Sequence, residues 1–93
     1  MKIYIVYGET GECEDRRDWI AKAFKTKRKA NSYWNKLDYW LKENKINWRG
    51  LYARNKYFDS EFKNSLINPF DPNFEFDYTG TSYYIVEVKV DED

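Results

Sequence analysis

Between Trp48 and Phe58 the chain reads Trp-Arg-Gly-Leu-Tyr-Ala-Arg-Asn-Lys-Tyr-Phe, with cations set between rings. That composition does one of two kinds of chemistry: it anchors a protein interface, where Trp, Tyr and Arg dominate the energy, or it stacks on the bases of a single strand of nucleic acid. Trp48, Arg49, Tyr52, Arg54, Lys56, Tyr57 and Phe58 are therefore the candidate partner-binding residues. The structural alternative is that the rings tuck over a sheet while the cations snorkel outward. A second basic run, Lys25-Thr26-Lys27-Arg28-Lys29, is suited to a phosphate or other anion. Cations in the first turn of a helix oppose its dipole, each costing about 0.3–1 kcal/mol when exposed. Folding alone would not choose them, so Lys25, Lys27, Arg28 and Lys29 are candidate nucleic-acid contacts.

Covalent and metal chemistry find less support. The sequence has no histidine, which removes the commonest general base, the commonest metal ligand and every Ser-His or Cys-His nucleophile. Cys13 stands among Glu12, Glu14 and Asp15, neighbours that disfavour a thiolate; a surface or packing role is expected. Gly8-Glu9-Thr10-Gly11-Glu12 lacks the Lys-Ser/Thr ending of a phosphate loop and reads as a hairpin turn. From Asp71 to Asp77 oxygens alternate as a calcium loop begins, but Phe76 stands where Gly is needed and Ser82 where Glu is needed. Glu87-Val88-Lys89, with Asp71 or Asp77 upstream, resembles the Glu-x-Lys arrangement of restriction-type nucleases over three residues only. A strand with one wet face produces the same alternation. No enzyme activity, cofactor or metal is expected.

Nineteen rings (nine Tyr, six Phe, four Trp) stand against fourteen Ile, Leu and Val in a chain that is 34% charged. A domain of this length has a radius of gyration of about 12 Å, and rings that each bury about 150–250 Å² when enclosed cannot all fit inside it. Several rings should therefore be exposed. Net charge is zero but segregated: residues 1–21 carry three basic and five acidic side chains, residues 22–63 twelve and four, and residues 64–93 one and seven. Ninety-three residues suit a single domain. One cysteine forms no internal disulfide and fits a reducing cytosol. No apolar run reaches about eighteen residues and the first residues lack a signal-peptide layout, so a cytoplasmic protein without a membrane partner is expected.

The elements that must position these residues follow from periodicity. Lys2–Tyr7 is apolar at every position from Ile3, the pattern of a central strand covered on both faces. Arg17–Phe24 alternates Trp19, Ala21 and Ala23 against Asp18, Ile20, Lys22 and Phe24, giving a second strand in a hairpin. Thr26 caps an amphipathic helix over Lys27–Glu43, with apolar residues at three- and four-residue spacing and Asn44 closing it in left-handed geometry. Residues 45–80 read as a long irregular excursion with a short helix near Ser60–Leu66. Ser82–Val90 sets Tyr84, Val86, Val88 and Val90 on one face and Tyr83, Ile85, Glu87 and Lys89 on the other. The expected fold is α+β: a three-stranded antiparallel sheet with its first strand central and one helix packed across it. That topology brings the tail Asp91-Glu92-Asp93 beside Lys25–Lys29, and Lys42 and Lys45 beside the acidic hairpin turn. It leaves residues 48–58 unneutralised.

A hydrophobic first strand, a Gly and acidic hairpin, a strand ending in Ala-Phe, a Thr-capped basic-starting helix and a last strand running into Asp-Glu-Asp resemble small uncharacterised α+β proteins of phages and low-GC bacteria. The resemblance covers residues 1–41 and 82–93, not the excursion. It implies host-takeover or anti-defence proteins, anti-CRISPR proteins among them, which act by binding. The expected function is therefore a non-enzymatic protein-binding module, the alternatives being a single-stranded RNA or DNA binder, or a homodimer closed by the excursion.

Overall fold

The computed structural model describes residues 1–91 and sets β1 (Lys2–Thr10) between β2 (Arg17–Phe24) and β3 (Thr81–Lys89) in an antiparallel sheet. Helix α1 (Lys27–Glu43) crosses all three strands. Two short helices, α2 (Ala53–Phe58) and α3 (Ser60–Ser65), pack on each other within the excursion. The fold is thus α+β with the first strand central. The Thr26 hydroxyl accepts from Lys29 N at 3.3 Å to start α1. Ala30, Leu37 and Leu41 are fully enclosed, against Val6, Ile46 and Tyr83.

Several local expectations are corrected. Gly8, Glu9 and Thr10 belong to β1 and not to the turn, which begins at left-handed Gly11 (φ 87°) and includes a 3-10 turn at Cys13–Asp15. Gly8 is needed for a different reason: a Cβ there would lie 2.4 Å from the Trp19 indole. The register slips between Val6 and Tyr7, because Val6 faces Lys22 while Tyr7 faces Ile20, leaving Ala21 as an extra residue. This bulge reverses the alternation, so Trp19 and Phe24 both pack on the core although five residues apart. At the end of α1, Asn44 stays right-handed (φ −86°), and Lys45 takes the left-handed turn (φ 59°). Lys45 N then donates to Lys42 O and Ile46 N to Leu41 O, a Schellman closure that delivers Ile46 to the core.

The excursion is more ordered than its composition suggests. Asp59 caps α3, as its carboxylate accepts from Phe62 N, while α2 had no periodic signal in so short a stretch. Behind it, Asp71 is 1% exposed and accepts from the Trp19 indole at 2.8 Å, the Tyr83 hydroxyl at 2.7 Å and Asn73 N at 3.0 Å. Asn68 supports it, taking Phe70 N and Asp71 N on its carbonyl and donating to the Tyr83 oxygen. One carboxylate therefore joins β2, β3 and the loop between α3 and β3. A further correction concerns β1: α1 covers one face of it, and no element forms a layer over the other among the described residues. The radius of gyration is 14.3 Å and the extents 50 × 27 × 20 Å, longer than the roughly 12 Å of a compact chain of this length.

Replacing Asp71 by Ala strips the acceptor from the buried Tyr83 hydroxyl and the half-buried Trp19 indole and is expected to cost about 1.5–3 kcal/mol, read as a lower urea midpoint at constant slope; an unchanged midpoint would show that the network contributes nothing. Alkaline stability gives a second test. Burial, and then the nearby Asp71 charge, push the Tyr33 phenol up to about 12, and burial with the Asp71 hydrogen bond raises Tyr83 also. Their contribution is whole below the ordinary tyrosine value of about 10 and is lost above it, where the unfolded chain ionises first. Stability should decline from about pH 10 upward, and Tyr33→Phe should flatten that decline; equal slopes in the two proteins would refute the assignment.

Candidate interaction surface

The chain leaves α1 through a tight coil that fastens the ring-rich segment to the sheet. Thr81 N donates to Ile46 O at 2.9 Å, Trp48 N to Thr81 O at 2.8 Å and Arg49 N to Thr79 O at 2.7 Å. Gly50 completes the coil, since a Cβ there would come within 2.7 Å of Asn47 O. Trp48 (42% exposed) and Tyr52 are thereby held at the surface, with Leu51 standing 84% exposed between them.

Every lysine and arginine from residue 45 to residue 63 lies over a ring. Lys45 Nζ sits 4.8 Å from the Tyr52 centroid and Arg49 Cζ 4.4 Å from that of Trp48. Arg54 lies 5.8 Å from Phe58 and 5.7 Å from Tyr78, Lys56 4.5 Å from Phe62, and Lys63 3.8 Å from Tyr57. The rings also contact one another inward: Trp40 meets Phe74 edge-on at 5.0 Å, Phe74 stacks on Phe76, and Tyr57 meets Phe76 at 5.6 Å and Phe58 at 5.2 Å. Half-buried Tyr57 and Lys56 are thus anchors of α2, while Phe58 projects at 65% exposure. The seven residues singled out in sequence divide accordingly. Trp48, Arg49, Tyr52, Arg54 and Phe58 are presented to solvent, and Lys56 and Tyr57 help hold them there.

The electrostatic expectation for this segment is corrected. Arg49 is not left unpaired, because it meets Glu12 of the acidic turn at 3.0 Å. Lys42 instead pairs with Asp38 one turn back, at 2.8 Å, and Lys45 with the Tyr52 ring. Trp48 and Arg49 therefore face Glu9, Glu12, Cys13 and Arg16 across an open cleft of about 400 Å³. Lys25, Lys27, Arg28 and Lys29 are exposed at the other end of α1, and none of them makes an ion pair among the described residues. Of the tail expected beside them, Asp91 is exposed, and Glu92 and Asp93 lie outside the described residues. The carboxylates considered for metal chemistry do not converge. Asp71 and Asp77 are buried on internal donors, Thr79 N reaching Asp77 at 2.8 Å, whereas Glu87 pairs with Lys2 at the opposite end of β1.

A second surface lies on the uncovered side of the sheet. Strand alternation and register place Ile3, Ile5 and Tyr7 of β1 beside Val88, Val86 and Tyr84 of β3, with Ile20 and Ala23 of β2 on the other flank. None of these eight belongs to the cluster packed on the core. Ile20 is 52% and Val86 37% exposed. Tyr7 and Tyr84 stack at 5.3 Å, and one end of the face is polar: Glu9 accepts from Arg16 and Ser82, and Asp18 from Tyr84. Burial, then the Asp18 hydrogen bond, raise the Tyr84 hydroxyl above its ordinary value. Sequence reasoning missed this face because a continuous apolar run reads as a strand buried on both sides. The signal was the single helix available to cover a two-sided sheet.

No protein-family model matches the chain, and no curated protein or solved structure matches it significantly. No helix among the described residues is long and apolar enough to cross a membrane.

The stacking of Arg54 on Tyr78, a residue of the loop just before β3, is expected to help dock α2. A double-mutant cycle of Arg54→Ala and Tyr78→Ala should give a coupling of about 0.5–1 kcal/mol; additive effects would mean that α2 is held without it.

Proposed function

We propose that this chain is a non-enzymatic protein-binding module whose contact surface is built by Trp48, Arg49, Tyr52, Arg54 and Phe58. The observation that carries this reading is the pairing of every cation in residues 45–63 with a ring. Stacking orders the long side chains before a partner arrives, which lowers the entropy lost on binding. Trp, Tyr and Arg held this way have the composition of an interface hot spot. Short segments such as the coil at residues 46–50 present them rigidly, because three backbone hydrogen bonds tie that coil to the start of β3 and to the loop before it.

The resemblance to phage and low-GC bacterial proteins supports a narrower form, an inhibitor that acts by occupying a host or defence protein, of the anti-CRISPR kind. The nucleic-acid reading is less well supported. A base-stacking groove joins ring faces to a positively charged track for the backbone, and here Arg49 is already paired with Glu12 of the acidic turn. The other basic group, Lys25–Lys29, begins a helix of 17 residues, which separates it from Arg49 by about 25 Å. A continuous phosphate track through both is not favoured by that spacing.

Affinity capture from cells tests the proposal. The unaltered protein should retain a protein partner, and the combined Trp48→Ala, Arg49→Ala, Tyr52→Ala variant should lose it at least tenfold, about 1.4 kcal/mol or more, with an unchanged circular dichroism spectrum. Undiminished capture by that variant would sink the reading. Recovery of nucleic acid with an affinity that falls steeply with salt would replace it with the nucleic-acid one.

A further inference from the structure

We propose that the cleft between α3 and the start of β2 binds a carboxylate carried on a single aromatic ring. Leu66, Phe74 and Phe76 line it with apolar surface, Arg17, Lys63 and Glu75 with charge, and its volume is about 260 Å³. It shares no residue with the contact surface proposed above, so the two readings stand or fall separately.

The apolar lining is fixed from behind. Leu66, Phe74 and Phe76 are half-buried, packed against the core and in part still open. Phe74 and Phe76 stack with centroids 5.8 Å apart and planes 19° apart, and Trp40 and Tyr57 meet them edge-on. The backbone between the two rings is tied to β3, because the enclosed Thr81 hydroxyl donates to Glu75 O at 2.7 Å. A lining already in place loses little freedom when a ligand enters. An apolar cavity of about 150 Å³ holds a benzene ring, so this cleft has room for one ring and one small polar group. Larger ligands need larger pockets.

Charge decides what the polar group is. Arg17 Nε stands 3.5 Å from Glu75, and the guanidinium makes no side-chain hydrogen bond. Lys63 has no ion pair among the described residues, its ammonium lying on the Tyr57 ring. Two cations therefore face one carboxylate, an excess of one positive charge. Neighbouring acids do not cancel it. Asp18 pairs with Arg16 and Tyr84 on the opposite face of the sheet, Asp59 accepts from Phe62 N and Asp77 from Thr79 N. Glu61 stands about 200° around α3 from Lys63. Arg17 is paired with Thr10, whereas Lys89, after which the acidic tail follows in sequence, is paired with Lys2 at the opposite end of β1, about 27 Å away. A single planar carboxylate matches this excess and the fork of a guanidinium with open donors. The larger cleft beside Trp48 lacks the excess, since Glu9 and Glu12 hold its two guanidiniums.

Proton–nitrogen correlation spectra of the labelled protein test this, with phenylacetate titrated to about 10 mM. Binding should saturate with a dissociation constant of about 1 mM or below, the strength open to a ligand of about ten non-hydrogen atoms. The amides of Arg17, Lys63, Leu66 and residues 74–76 should move. Phenylacetamide keeps the ring without the charge and acetate the charge without the ring, and each should bind about tenfold more weakly or worse. Lys63→Gln and Arg17→Gln, at exposed sites, should each weaken phenylacetate about threefold, the scale of one exposed ion pair, and together about tenfold, with unchanged circular dichroism; Lys63→Arg should retain it. Acetyl-Gly-Phe presents the same chemistry at a peptide end: saturable binding of either acid in this cleft supports the assignment, and the tighter one identifies the source. The proposal is overturned if neither acid gives a saturable shift, if phenylacetamide binds as well as phenylacetate, if the shifts centre on Trp48 and Arg49, or if the double glutamine variant binds undiminished.

Discussion

The buried carboxylate of Asp71 is the contact on which the arrangement of this molecule depends. A 1%-exposed carboxylate is tolerable only where donors surround it, and its donors come from three separate parts of the chain: Trp19 on β2, Tyr83 on β3 and the backbone of its own loop. The excursion must therefore return to the α1 side of the sheet before β3 begins. Trp19 must also point to that side. It does so because of the bulge at Ala21 and because Gly8 leaves room under the indole. Tyr33 adds a fourth tie from α1, donating to Phe70 O at 2.6 Å. Rings with polar handles thus do here what aliphatic packing does in most small domains. They fill volume and, through N–H and O–H groups, also fix where the loop lies.

The consequence is a one-sided protein. Helix α1, the loop folded around Asn68 and Asp71, and the inward relay from Tyr57 through Phe76 and Phe74 to Trp40 all gather on one side. Enough ring surface is drawn there to enclose Val6, Leu37, Leu41 and Ile46 completely. Nothing remains in the described residues to cover Ile3, Ile5 and Val86 on the other. The radius of gyration of 14.3 Å expresses the same fact, since an uncovered sheet and a projecting α2 lengthen the molecule instead of thickening it.

Periodicity made the regular elements legible. The bounds of β2 and α1, the Thr26 cap and the central place of β1 follow from alternation, three- and four-residue spacing and β-branched content. Faces were harder to read, because one extra residue at Ala21 inverts the phase of half a strand and no residue type announces it. Left-handed Lys45 and Arg49 were equally hidden, being side chains that rarely adopt such geometry. In the candidate surface, residue types identified Trp48, Arg49, Tyr52, Arg54 and Phe58 as a group. The division between presented and anchoring rings depended on Phe74, Phe76 and Tyr78, which lie far along the chain beyond α3 and give no local signal. The Arg49–Glu12 pair likewise spans 37 residues.

Charge segregation along the chain takes a different meaning once the fold is known. Twelve basic side chains in residues 22–63 would form a track for phosphates only if they shared one surface with their charges free. Instead Lys22 lies on β2, Lys25–Lys29 stand at the start of α1, Lys36 and Lys42 lie along it, and those beyond its C-terminus lie on rings. A cation on a ring keeps its charge but loses positional freedom, so it becomes part of a fixed local pattern. Fixed patterns of ring and guanidinium favour partners with a matching shape over partners with a matching charge alone. The bonds that hold Trp48 and Arg49 to Thr81 and Thr79 are what fix the geometry of that pattern, because they fasten the coil that carries both residues to the start of β3 and to the loop before it.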